Sequence, residues 1–354
     1  MRHLAILAEG NFDWHTAKTA VGVIRYGTDS VVAVIDSTHA GQDAGAVLRD
    51  PAGPARGIPV VANVAAALAY HPDTLLIGIA PRGGRLPDEW RPGVLLAIES
   101  GLDIISGLHH FLGEDTGLAE AARRCGVTIW DVRQPPAATA MRIATGQPHR
   151  AGSHVVYFAG TDCNVGKMTA AFEVDRAARQ RGLSSAFAAT GQTGIMIAGR
   201  GIPADRYISD FLAGGTEALV QELADRYDWV FVEGQGALSH PAYSAVTLGL
   251  VHGAAPDYLL LCHHAGRQTI SGYPTVPLPS LSQARAMYET AASWLKPAPT
   301  VGVVLNTFEL PEDEARAALA AAEREIGLPA ADPVRFGAGP LVDALLAAVE
   351  AHAR

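Results

Sequence analysis

The residues best suited to chemistry lie between Val155 and Phe172, in the stretch VVYFAGTDCNVGKMTAAF. An apolar run enters a loop, Gly160-Thr161-Asp162-Cys163-Asn164-Val165-Gly166-Lys167, and leaves through Met168-Thr169 into a helical pattern. Such a strand–loop–helix cradles phosphate. Glycine lets the backbone approach oxygen, successive N–H groups point inward, and the helix start and Lys167 supply positive charge. The loop departs from the Gly-x4-Gly-Lys-Ser/Thr pattern twice. Five residues rather than four separate Gly160 from Gly166, and Met168 stands where a hydroxyl would ligate Mg²⁺. Thr169 is turned by ~100° around a helix and does not replace that hydroxyl. The loop therefore predicts phosphate binding and weakens the case for magnesium-dependent hydrolysis.

Open α/β sheets bind ligands beyond the carboxyl ends of their strands. Other strand ends carry Thr190-Gly191-Gln192-Thr193-Gly194, Glu233-Gly234-Gln235-Gly236-Ala237-Leu238-Ser239-His240-Pro241, His263-His264-Ala265-Gly266-Arg267 and Asn306-Thr307. Glu233 occupies the place of a Walker-B-type acid or a general base; the plainer reading is a carboxylate capping the next turn. His240, in a Gly-rich loop before a proline, reads equally as polar surface or as a functional neighbour of Glu233. His263 and His264 are adjacent and point opposite ways on a strand, so at most one faces the site. Neither has a partner at metal-ligand spacing, and no metal is expected. Arg267 could clamp a carboxylate bidentately or lie solvated. A helix dipole could lower the Cys163 thiol pKa, although passive packing is the simpler role. Arg82 and Arg85, among Gly83 and Gly84, suit an anion or an interdomain contact. No G-x-G-x-x-G follows any strand, so a nicotinamide cofactor is not indicated.

These residues need parallel strands to hold them. In the first ~135 residues, short apolar runs at Leu4–Ala8, Val31–Ile35, Leu75–Ile79 and Val127–Trp130 alternate with helix-like stretches at Pro92–Ser100 and Thr116–Arg124. Runs without alternation are buried on both faces, the pattern of βαβ units. Residues 1–135 are thus expected to form a Rossmann-like domain. The Pro- and Gly-rich stretch 136–152 reads as a linker, and residues 153–354 as a P-loop NTPase-like parallel α/β domain. There the helices expected are Met168–Arg181, Thr216–Tyr227, Ser280–Trp294, Glu312–Ile326 and Pro340–Ala351.

Composition bounds the partners. Lys+Arg total 27 against 36 Asp+Glu, a formal charge of −9, which argues against nucleic acid or a polybasic membrane anchor. Three scattered cysteines support no disulfide framework and suit a reducing cytoplasm. No apolar run reaches the ~18 residues of a bilayer span. A homo-oligomer is expected.

The segment from Gly160-Thr161-Asp162 to Val165-Gly166-Lys167 resembles the loop of dethiobiotin synthetases. More broadly, IGIAPRGGRLPDEW, GLDIISGLHHFL, GTDCNVGKMT, ATGQTGIMIAG, ISDFLAGG, FVEGQGALSHPAYSAVTLGL and LCHHAGR resemble the DUF1611 family across nearly the whole chain. That resemblance implies a Rossmann-like N-terminal domain and a P-loop C-terminal domain. It also implies N-acetyl transfer from acetyl-CoA to an acidic amino acid such as D-glutamate, with an enolase-superfamily epimerase as pathway partner. The phosphate loop would then clamp coenzyme A. Glu233, His240 or His263 would supply the base. The Gly234–Gly236 amides or Gln192 would supply oxyanion donors, with Gly234, Gln235 and Arg267 contacting substrate. The alternative is an ATP/Mg-dependent ligase or carboxylase of the dethiobiotin synthetase kind.

Overall fold

The computed structural model describes residues 1–14 and 16–352, the side chain of Arg82 excepted. Contacts divide the chain into two units. One comprises Met1–Gln134 with Ile195–Pro203, the other Pro135–Gly194 with Ala204–Arg354. Among the described residues no helix is long and apolar enough to cross a membrane.

The first unit contains β1 (His3–Leu7), β2 (Ser30–Ile35), β3 (Val60–Val61), β4 (Thr74–Ile77), β5 (Asp103–Ser106) and β6 (Ile129–Asp131). They form one parallel sheet in the order β3-β2-β1-β4-β5-β6. Helices α1 (Lys18–Tyr26), α2 (Ala44–Val47), α3 (Val64–Ala67), α4 (Arg91–Glu99) and α5 (Thr116–Cys125) connect the strands. Asp43, Asn63 and Asp115 accept amide hydrogen bonds at the starts of α2, α3 and α5, as short polar caps do. The sheet is Rossmann-like. Asp36, at the end of β2, stands where an acid would hold a ribose. Its carboxylate instead accepts from the amides of Gly10, Phe12 and Thr38. Burial opposes its charge, yet the hydrogen bonds from Thr38, His39 and Gly10 hold its pKa below the ordinary value. Within this unit Arg85 Nε donates to His110 Nε2 at 3.1 Å. The Arg82 side chain lies outside the described residues.

The second unit contains β7 (His154–Gly160), β8 (Ser185–Ala188), β9 (Trp229–Val232), β10 (Tyr258–His264), β13 (Thr300–Asn306) and β14 (Ala330–Ala331), with a small ribbon of β11 (Thr269–Ile270) and β12 (Tyr273–Pro277). The main sheet is parallel, in the order β14-β13-β10-β7-β9-β8. Its helices are α6 (Lys167–Gln180), α8 (Ser209–Ala224), α9 (Ser244–Ala254), α10 (Leu281–Ser293), α11 (Glu312–Ile326) and α12 (Gly339–His352), while α7 (Gln192–Ala198) starts in this unit and has its residues from Ile195 onward in the first. Val155–Ala159, Val230–Val232 and Leu259–Cys262 are essentially inaccessible, as unalternating apolar runs require. β7 pairs with β10 on one side and β9 on the other, so Gly160 lies opposite Cys262, and Tyr157 opposite Val232. This register brings the ends of three strands side by side: Gly160, Glu233 and His263.

The stretch 136–152 lies along α8 rather than crossing open solvent. The amides of Thr145 and Gly146 each donate to Glu217 Oε2 at 2.9 Å, and Arg142 Nη2 donates to Gln221 Oε1. It is a docked segment of the second unit.

Candidate functional site

The loop after β7 is shaped by two left-handed residues, Asn164 (φ 54°) and Gly166 (φ 96°). Gly166 is the N-cap of α6, and no side chain caps the helix. The first amides of a helix have no intrahelical acceptor, so this end offers donors and positive dipole to an anion. Lys167 is buried behind the loop. Its Nζ donates to the Asp162 carbonyl at 2.7 Å and the Gly236 carbonyl at 2.8 Å. Burial pushes its pKa down, while Cys163, Cys262, Asp162 and Glu233 oppose that shift. Glycine is required around it. A Cβ on Gly234 would lie 2.0 Å from the Phe158 carbonyl oxygen and 3.1 Å from Lys167 Cδ.

Asp162 anchors the loop. It is inaccessible, and its Oδ2 accepts from Arg267 Nη1 at 2.9 Å and the Ser271 amide at 2.8 Å; Oδ1 accepts from the Cys163 amide at 2.7 Å. Arg267 also donates to the Cys163 carbonyl at 2.7 Å. The arginine considered as a substrate clamp is therefore turned onto the phosphate loop and braces it. The Cys163 thiol pKa is raised by burial, opposite to the shift a helix dipole alone would give. Thr161 is tied twice to β10: its amide donates to the Cys262 carbonyl, and its hydroxyl lies 2.9 Å from His263 Nδ1.

Three base candidates acquire distinct environments. Glu233 Oε2 accepts from the amides of Thr190 (3.0 Å) and Gly191 (3.1 Å), tying the turn after β8 to β9. Burial raises its pKa against those hydrogen bonds. His240 is 2% exposed, and its Nδ1 accepts the Ala242 amide at 3.1 Å. With that lone pair engaged, the neutral ring carries its proton on Nε2, which faces Asp162 Oδ1 at 3.9 Å. Burial lowers its pKa. His240 is thus fixed as a hydrogen-bond donor, further held by the rings of Tyr243 and Tyr273. His263 is pushed down to about 4 by burial, assisted by His264 and Arg267, and is neutral at pH 7. His264 Nδ1 contacts the Ala265 carbonyl instead. Gln192 opens α7 on the β8 side, and Gln235 Nε2 reaches Thr190 Oγ1 at 3.3 Å.

Residues 142–342 match the P-loop domain of DUF1611, described as a domain of unknown function, and residues 37–135 match its Rossmann-like N-terminal domain. The chain belongs to the DUF1611 family. A curated protein of Tritonibacter scottomollicae named D-glutamate N-acetyltransferase is 40% identical over 336 residues, covering 95% of this chain and 96% of that one. A second, from a Pseudoalteromonas species and of the same name, is 34% identical over 270 residues, covering 76% and 80%. The crystal structure of a DUF1611 family protein from Anabaena variabilis superposes with a TM-score of 0.90 at 38% identity, covering 98% of this chain and 99% of that one.

In this DUF1611 protein, Asp162, Cys163 and His240 place one potential metal-ligand atom each within 4.8 Å of one another. The donor set does not suit a cation. A metal on His240 Nε2 would require a proton on Nδ1, where the ring accepts the Ala242 amide. Asp162 is also already neutralised by Arg267. One site residue escapes sequence reasoning entirely. Tyr288, buried on α10, donates to the Gly160 carbonyl at 2.9 Å and accepts from the Leu238 amide at 3.4 Å. It joins the start of the phosphate loop to the turn after β9. Nothing in its surrounding sequence, LSQARAMYETAAS, marks it.

Proposed function

We propose that this protein transfers the acetyl group of acetyl-CoA to the amine of D-glutamate or a related acidic amino acid. The observation that carries the reading is the 40% identity, along nearly the full length of both chains, with a protein named for that reaction. The site is chemically compatible. A phosphate loop with Lys167 behind it, and Met168 in place of a magnesium-binding hydroxyl, suits holding the phosphates of coenzyme A rather than hydrolysing a triphosphate. The amine nitrogen attacks the thioester carbonyl, a C–N bond forms, the ammonium proton passes to a base, and the C–S bond breaks with coenzyme A leaving as its thiolate, which takes the proton up as the free thiol. Glu233 is the base in this reading, because burial moves its carboxyl towards the working pH. His240 Nε2–H and the amides of the Gly234–Gly236 turn are donors for the developing oxyanion.

The test incubates the chain with D-glutamate and either acetyl-CoA or ATP. Free thiol with acetyl-CoA is the expected result; phosphate release with ATP and none of thiol would overturn it in favour of a ligase. Glu233→Gln keeps an oxygen for the Thr190 and Gly191 amides and removes the base. Its kcat is expected to fall on the order of 10²–10⁴-fold. An unchanged kcat removes Glu233 from that role.

A further inference from the structure

Between α9 and α10 runs an open groove of about 550 Å³, within the size range of ligand clefts. Leu238, Ala245, Leu248, Met287 and Trp294 line it, with Thr290 among them. None of these side chains is charged. Its inner end is connected to the phosphate loop. Leu238 closes the turn after β9, its amide reaches the Tyr288 hydroxyl at 3.4 Å, and that hydroxyl donates to the Gly160 carbonyl at 2.9 Å. The Tyr288 hydroxyl thus links Leu238, on the groove wall, to the start of the loop, and Met287, also on the wall, is the chain neighbour of Tyr288. A ligand occupying both must carry phosphate at one point and a long, uncharged, largely apolar arm at another.

We propose that this groove receives the pantetheine arm of a coenzyme A thioester whose phosphates lie on the Gly160–Lys167 loop. The proposal rests on the acetyl-CoA reading above and adds the path of the donor. The arm has no charge to desolvate against the apolar walls, and its amides can meet the Thr290 hydroxyl. The exposed Trp294, 63% accessible, becomes covered at the groove's outer end.

The test is calorimetric titration of the full chain with coenzyme A and with adenosine 3′,5′-bisphosphate, which lacks the arm. Two variants are compared with the native chain: Ala245→Trp, which fills the groove from an exposed position, and Met287→Glu, which places a charge on its wall. Both are expected to weaken coenzyme A on the order of tenfold or more and leave the bisphosphate within about twofold. Should Ala245→Trp not fold, Met287→Glu decides alone. Unchanged coenzyme A affinity in both variants overturns the proposal. So does an equal loss for both ligands, which would put the nucleoside in the groove. A fall in oligomeric mass on ultracentrifugation with coenzyme A affinity intact also overturns it, identifying a second copy of the chain as the occupant. If the native chain binds neither ligand, the acetyl-CoA reading itself has failed, a result distinct from the other three.

Discussion

Asp162→Asn tests the loop's anchor. In the native site Oδ2 takes a charged hydrogen bond from Arg267 Nη1 and one from the Ser271 amide, while Oδ1 takes the Cys163 amide. Asparagine has one acceptor oxygen. If that oxygen faces Arg267 and Ser271, the new NH₂ opposes the Cys163 N–H; reversed, it opposes Arg267. At least one donor therefore loses its acceptor (Cys163 N–H in the first case, Arg267 and the Ser271 amide in the second), and the ion pair loses its anion. Removing one member of a fully buried pair costs ~3–5 kcal/mol. Arg267 is 22% exposed and keeps the Cys163 carbonyl, so the expected cost is lower, about 2–4 kcal/mol. The measurement is urea unfolding of Asp162→Asn, Arg267→Gln and the double variant, followed by a probe in the second unit, since two units need not unfold together. A coupling energy above about 1 kcal/mol is expected; additivity within ~0.5 kcal/mol would show that the pair does not hold the loop.

Other consequences are simpler. Lys167→Met removes the loop's charge, and coenzyme A affinity measured by calorimetry should fall on the order of 100-fold; affinity within threefold would mean that phosphate does not sit there. Gly234→Ala drives a Cβ to 2.0 Å from the Phe158 carbonyl oxygen, a backbone atom that cannot swing aside. A loss of about 3 kcal/mol or more is expected in thermal melting, and a stability near native would contradict the close approach. His263 has a folded pKa of about 4, below its unfolded value of ~6.5. Its contribution is therefore present above about pH 6.5 and is lost as pH falls towards 4, because unfolding then takes up a proton. Discounted for partial exposure, the loss is about 1–2 kcal/mol, and His263→Asn should flatten that part of the stability–pH curve.

How far the sequence reaches depends on where each signal lies. Helix α11 is read residue for residue, because Glu312, Asp313 and Glu314 open it and Gly327, at φ 69°, closes it. Helix α9 is missed. Its sequence SAVTLGLVHGA is apolar on most faces, carries two glycines, and has no side-chain cap at Tyr243. Those glycines serve packing instead: a Cβ on Gly253 would lie 2.3 Å from the Ala213 carbonyl oxygen on α8. For the same reason α8 begins at Ser209 and not at Thr216. Gly214 and Gly215, inside this helix, admit the Arg142 carbonyl and the Tyr207 ring. In the site, the phosphate loop is legible because its chemistry is contiguous. The role of Arg267 is not, since its partner Asp162 lies 105 residues away, and neither is Tyr288, whose partners come from β7 and the turn after β9.

The loop's own bonds bear on what it can hold. Lys167 gives two donors to backbone carbonyls, one at Asp162 inside the loop and one at Gly236 beyond β9. The ammonium has a third donor to offer an anion proposed on the loop, and a full negative charge draws it more strongly than the carbonyl dipoles do. The pull is local, because a movement of Lys167 frees the Gly236 carbonyl and with it one tie on the Gly234–Leu238 turn. That turn carries the His240 segment on one side and, through Leu238 and Tyr288, the rim of the α9–α10 groove on the other. On the proposed function, phosphate arriving at Lys167 would thereby be coupled to the position of the Gly234–Leu238 turn and of the groove. The coupling predicts that inorganic phosphate alone alters protection of the Leu238 amide in hydrogen exchange, with Tyr288→Phe removing the effect. An amide that exchanges identically with and without phosphate would mean that the loop and the turn act independently.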